Sequence, residues 1–441
     1  VASYYVWSAA AGSANGTSWA NAYTTLTTAF TGKVAGDVFY VAHDHAQTTA
    51  AAITLQSPGT IANPAKVICV DRAGSVPPVS ADRRTTAQIA TTGASSHMRI
   101  NGYTHYDGIV FICTDSTNSA SIIAPDSGTA ALRFDNCSLQ LRGNAGTNRI
   151  YVSNQAAVAG TMVELNNTTL SFSNTSQNID IAGIFRWRNT PLALIGSAVP
   201  TVVLTMPNTL RGATIECIGV DLSAAGSGKT IVDAGGVSFT SIKLVDCKLN
   251  ASVTKSTAAL NYGSGEVDFV RSSASGNFAV YRVRAGGTLE QETTIVRTGG
   301  ASDGTTPIAW KIITTANCTY TIPLECPPIA IWNEVTGSAV TATVEGIWGG
   351  GAVPNDDDIW LDVEYLGDAS SPLGSFVNDG KANLLATAAG QTTSSATWGG
   401  STTKFKLNIT FTAQQKGWIY ARVKCGKASS TFYVDPLVTL T

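Results

Sequence analysis

Two histidines flank an aspartate at His43-Asp44-His45, a spacing that sets both imidazoles on one side of an extended strand, where they could hold a metal ion. His97 and His105 are the other histidines and would complete such a site only if folding brought them close. Solvated side chains at a strand end are the simpler reading, so no metal site is expected. Gly226-Ser227-Gly228-Lys229-Thr230 has the ending of a phosphate-binding loop, but the glycine required five positions before the Gly-Lys pair is replaced by Ser223. The following residues, Ile231 to Gly236, do not read as a helix, so a glycine turn between strands is expected. Asp356-Asp357-Asp358 follows Gly349-Gly350-Gly351 and Pro354 and reads as a charged loop tip.

Acidic residues recur at Asp135, Glu164, Glu216, Asp221, Asp246, Glu266 and Asp268. Glycoside hydrolysis needs two carboxylates roughly 5–10 Å apart, and strands stacked about 4.8 Å apart could present such pairs. These acids alternate with apolar neighbours, however, as outward strand positions do. No Gly-x-Ser-x-Gly elbow, His-Glu-x-x-His helix or nucleophile–base pair is present. The expectation is therefore a protein without catalytic, cofactor-binding or metal residues, and not an enzyme.

The elements that carry these residues are β-rich. Hydrophobic residues make up 44% of the 441 and charged residues only 13%, a balance that excludes disorder. The net charge of −2 and the lack of a basic run exclude an ordinary nucleic-acid partner. No segment approaches the roughly 20 apolar residues of a membrane span. The N-terminus has no basic segment followed by an apolar core, so assembly in a cytoplasm is expected. Cys69, Cys113, Cys137, Cys217, Cys247, Cys318, Cys326 and Cys425 form no Cys-x-x-Cys pair and read as buried thiols.

Residues 1–45 read as strand, helix, strand: Ser18 is a candidate N-cap, and Trp19, Tyr23, Leu26 and Phe30 mark one helical face. This unit is expected to cap a solenoid. Segments 109–113, 132–139, 163–170, 215–222, 242–249 and 267–270 share one grammar: apolar–polar alternation, then Asp, Asn or Cys, then an aliphatic residue. Leu139 and Leu170 are 31 positions apart, and Leu222 and Leu249 are 27, repeat lengths of a solenoid. A right-handed parallel β-helix is expected over 46–295, with Asn and Cys stacked at matching turns. Residues 285–306, rich in Gly, Ser and Thr, read as a boundary. A C-terminal β-sandwich, immunoglobulin-like or jelly-roll, is expected over 296–441 from about seven strand-like runs. Tryptophans cluster there, and exposed ones would favour an interface.

Gly16-Thr17-Ser18-Trp19-Ala20-Asn21-Ala22-Tyr23, with Ala35-Gly36-Asp37-Val38, resembles the entry of pectate-lyase-like β-helix proteins. Ala42 to Ala46, Gly304 to Lys311, Gly346 to Asp358 and Ala428 to Pro436 together resemble a group of tailed-phage virion proteins, along nearly the whole chain. The resemblance implies a non-enzymatic particle component: a homotrimeric capsid decoration or cement protein on the capsid exterior, with the major capsid protein as partner. The alternative is a tail fibre or spike that binds or cleaves host surface glycan. No site residue is carried over.

Overall fold

The computed structural model describes all residues except 118–119, 126–129, 153–160, 207–212, 234–239, 257–264, 273–279, 285, 293–308, 366–374, 385–397, 399–402, 414 and 436–437. The proposed boundary segment therefore lies largely outside the described residues. The chain divides into two compact units, Val1–Ala258 with Phe269–Phe278, and Ala259–Asp268 with Ala279–Thr441.

The first unit is a β-helix of three parallel sheets. One sheet stacks Ser3–Val6, Val38–Ala42, Ala65–Val70, Tyr103–Asp107, Ala131–Asp135, Met162–Asn166, Ile184–Arg188, Thr214–Ile218 and Thr240–Val245 in register. A second runs from Ala46–Thr49 to Leu194–Ile195, and a third from Ile53–Gln56 to Thr254–Ser256. The alternation in the sequence follows from this stacking, because successive side chains on a strand point to opposite faces. Phe39, Val67, Tyr106, Phe134, Leu165, Trp187, Cys217 and Leu244 occupy one interior rung and are all buried. Each such side chain stabilises the stack by roughly 1.5–3 kcal/mol. The Tyr106 and Phe134 rings stack with centroids 5.3 Å apart.

Four of the recurring segments, 132–139, 163–170, 215–222 and 242–249, run from a first-sheet strand through the corner that follows it. Leu139 is the register partner of Leu170, so 31 residues make one coil there. At the corner the backbone turns through the left-handed region at Gly108, Asn136, Asn167, Asn189, Gly219, Asp246 and Arg271. Asparagine and glycine tolerate this region better than other residues. From Gly108 to Asp246 each of these corner N–H groups donates to the next coil, as Asn136 N to Asn166 O at 3.0 Å and Asn167 N to Arg188 O at 3.0 Å. Asn167 Nδ2 also donates to Asn136 Oδ1 at 2.8 Å, a two-residue asparagine ladder. Just inside, Thr168 Oγ1 donates to Phe134 O at 2.8 Å and accepts from Cys137 N at 3.2 Å, so buried polar groups satisfy each other between coils.

The entry differs from the sequence expectation. The helix spans only Leu26–Phe30, capped by Thr25 rather than Ser18. Upstream, side chains compete for the backbone: Thr17 N donates to Asn15 Oδ1 and Asn21 N to Ser18 Oγ. Trp19 packs edge-on against Tyr5 instead of lying on a helical face. Phe30 meets Phe39 of the first coil edge-on at 4.9 Å.

The second unit has antiparallel sheets around one apolar core. Ala309–Thr314, Ser430–Val434, Ala339–Gly351 and Thr403–Thr412 pair in one sheet, and Ile329–Asn333, Gly417–Cys425 and Ile359–Tyr365 in the other. Ile312, Val344, Leu361, Phe405, Ile419 and Phe432 are among the side chains that meet between them, giving the sandwich. The strand from Ala339 continues through Gly349 to Gly351. Gly350 and Gly351 adopt positive φ beside a register shift, a path that small residues permit. Among the described residues no helix is long and apolar enough to cross a membrane.

The corner geometry yields a test. Asn167→Gly should cost less than about 1 kcal/mol, whereas Asn167→Val should cost about 1–3 kcal/mol, because a branched side chain is strained at φ 46°. Urea unfolding of both variants checks the order; equal losses would show that the left-handed corner does not govern coil stability.

Candidate functional site

On the outer face of the first sheet, two side-chain rows run across neighbouring coils. One is apolar: Tyr103, Ala131 and Met162 are register partners. The other is charged: Lys66, His105, Arg133, Glu164, Arg186, Glu216 and Lys243 follow one another, coil by coil. The rows are two residues apart on each strand, about 6–7 Å. Over the first coils a groove of about 250 Å³ lies between them, lined among others by Ile61, Pro64, Lys66, Tyr103, His105, Arg133, Met162 and Glu164.

The groove's charges are largely tied down. Asp135 accepts from His105 Nε2 at 2.7 Å, from Arg133 Nε at 2.9 Å and from Asn166 Nδ2 at 2.8 Å. Burial raises its carboxyl pKa, but these bonds outweigh burial and hold it far below the ordinary carboxylate range. Glu164 faces Arg188 at 3.5 Å, and Arg188 also meets Glu216 at 2.7 Å. Lys66 makes no ion pair among the described residues.

The other acids marked in the sequence are also paired. Asp221 meets Lys248 at 3.0 Å, Asp246 meets Arg271 at 2.6 Å, and Glu266 and Asp268 meet Arg282 at 3.7 and 2.5 Å. They behave as structural ion pairs rather than as proton-transfer groups. Sequence reading missed a different carboxyl, Asp180, on the third sheet. Desolvation raises its pKa against the opposing effects of Thr205, Arg149 and Tyr151. Its register partner is Thr205, whose partner on the next strand is Asp233. Two strand steps set the Asp180–Asp233 separation at about 9.5 Å. The only sequence signal was an acid on the outward position of Asn178–Ile181 and of Thr230–Asp233.

The remaining sequence candidates do not converge. His43 lies at a turn, 3.6 Å from Asp71. His45 is buried rather than solvated, and desolvation lowers its pKa to about 4. His105 belongs to the groove. Among the described residues no three His, Cys, Asp or Glu side chains are grouped closely enough to hold a metal ion. Gly226 to Lys229 forms a turn before the strand Thr230–Asp233, as expected. Asp356–Asp358 is a 3-10 turn in which Asp358 is buried and meets Lys427 at 3.3 Å. All eight cysteines are free and buried. In the second unit Trp348 is buried, while Trp332 and Trp418 pair across two strands and stay half exposed, their rings 5.5 Å apart.

No protein-family profile matches the chain, and no curated protein matches it. Among solved structures it is similar to the enzymatically active domain of tailspike protein 4 of bacteriophage CBA120, with 9% identity over 92% of this chain and a TM-score of 0.23. The chain spans 64% of that domain's length. The match corrects two expectations. A capsid decoration role, with the capsid exterior and major capsid protein that go with it, is not retained, and neither is the absence of enzymatic activity. No residue role is transferred from that domain.

The Asp135 cluster gives a pH test. A carboxyl lowered on folding contributes stability above its unfolded pKa, near 3.9, and loses it as pH falls toward the folded value. Asp135→Asn should therefore be about 1–2 kcal/mol less stable than the parent at pH 7, with the gap closing below about pH 4. Thermal unfolding across that range checks it.

Proposed function

We propose that this chain is a tail-spike-type component of a phage particle that engages host surface glycan through the groove on the first sheet of its β-helix. The observation that carries the reading is the pairing of an apolar row with a polar row on one rigid, exposed face. A pyranose has an apolar C–H face and polar edges, and a rigid stack of strands presents matching surfaces without ordering a loop. Self-association as a homotrimer belongs to this reading and is supported by the exposed Trp332–Trp418 pair. In a binding assay with envelope polysaccharide from host cells, the intact chain should bind. Tyr103→Ala should weaken binding about tenfold, a loss of about 1.4 kcal/mol. Equal binding by parent and variant would remove the groove from the reading.

A second reading, glycan cleavage, is favoured by Asp180 and Asp233. Inverting hydrolysis places a protonated acid and a carboxylate base roughly 6.5–9.5 Å apart, and the strand register puts these two at the upper edge of that range. Asp180 would protonate the leaving oxygen, and Asp233 would activate water. Release of reducing ends from host polysaccharide should be abolished by Asp180→Asn or Asp233→Asn. In the parent it should fall as pH rises through the elevated Asp180 pKa, since the acid is then ionised. Release undiminished in both variants would eliminate this reading.

A further inference from the structure

We propose that the groove on the first sheet selects saccharides bearing a carboxylate, with Lys66 and Arg133 as the groups that hold it. The inference rests on the glycan-binding reading and specifies the chemistry of the same site.

Of the cations lining the groove, Lys66 stands first in the charged row, exposed and without an ion-pair partner among the described residues. Arg133 is two strands further along that row. Its Nε and Nη2 atoms are committed to Asp135, which fixes the guanidinium plane, while Nη1 makes no hydrogen bond among the described residues. A guanidinium oriented in this way binds a carboxylate with less loss of side-chain freedom than a mobile one.

The acids do not cancel these donors. Asp135 is occupied by three donors, and Glu164 lies beside Arg188. His105, between Lys66 and Arg133 in the row, is already turned to Asp135. The groove therefore offers an uncommitted ammonium and a half-committed guanidinium about two strand spacings apart, roughly 9–10 Å. Tyr103 and Met162 lie alongside on the apolar row. A neutral sugar meets the charged row only through its hydroxyls; a carboxylated one adds charge-assisted bonds there.

Titration calorimetry of the full chain with hyaluronate hexasaccharide and with its carboxyl-methyl ester isolates the charge, since the two share a skeleton. The acid should bind at least about tenfold more tightly than the ester, the scale of one charge-assisted hydrogen bond. Its affinity, unlike the ester's, should fall as salt is raised. Lys66→Gln should remove most of the difference between acid and ester. Because Lys66 is exposed, this variant keeps the fold, which circular dichroism checks. Arg133→Lys, which preserves charge but not the fork, should give a smaller loss. Equal affinity for acid and ester would overturn the inference and leave glycan binding standing, as would a preference for the acid that survives Lys66→Gln. No binding of either oligosaccharide also overturns it, while the host-polysaccharide assay separately decides the glycan reading.

Discussion

Coil-on-coil registration of parallel strands is the constraint on which the first unit depends. A one-residue slip would exchange every inward side chain for an outward one. Phe134 would then face solvent and Arg133 the interior. The corner between the first and second sheets opposes such a slip. Its backbone repeatedly enters the left-handed region, and from Gly108 to Asp246 the corner N–H donates to the coil that follows. Thr168, Thr190, Cys247 and Ser272 sit just inside, where three hydroxyls and a thiol donate to backbone carbonyls of the neighbouring coil. A polar column in an apolar interior specifies register because any other alignment would leave those groups unpaired.

The same registration builds the surface. Once strands stack without slipping, residues separated by a full coil become neighbours about 4.8 Å apart. Lys66, His105, Arg133 and Glu164 have no local relation in the chain, yet they form one row. The arginine and carboxylate pairs along it hold the outer face in a single arrangement, as Arg188 does between Glu164 and Glu216. These partly exposed pairs contribute modestly to stability, and their larger effect is to fix geometry. A pre-formed surface suits a sugar chain, whose many weak contacts cannot also compensate for ordering a mobile binding site.

Asp180 and Asp135 illustrate how environment separates chemically identical groups. Asp135 gathers three donors and stays ionised, so it serves as an anchor for His105 and Arg133. Around Asp180 desolvation outweighs the opposing effects of Thr205, Arg149 and Tyr151, and the neutral form gains. Both read alike along the chain, as an acid after an apolar residue in a short strand.

Much of the architecture was legible in the sequence. The period-two alternation, the 31-residue spacing of Leu139 and Leu170, and the Asn or Asp after several first-sheet strands follow from the stacking and could be read as such. The short entry helix was not, because local side-chain bonds from Asn15 and Ser18 outcompete the helical spacing of Trp19 and Tyr23. His45 likewise looked solvated because nothing local marks it as buried. Composition and periodicity determine which residues face inward, since that depends on neighbours along the strand. Which outward residues meet depends on coil length, and coil length varies with each loop. The groove, the free Lys66 ammonium and the Asp180–Asp233 separation therefore arose only when tertiary registration brought distant coils side by side.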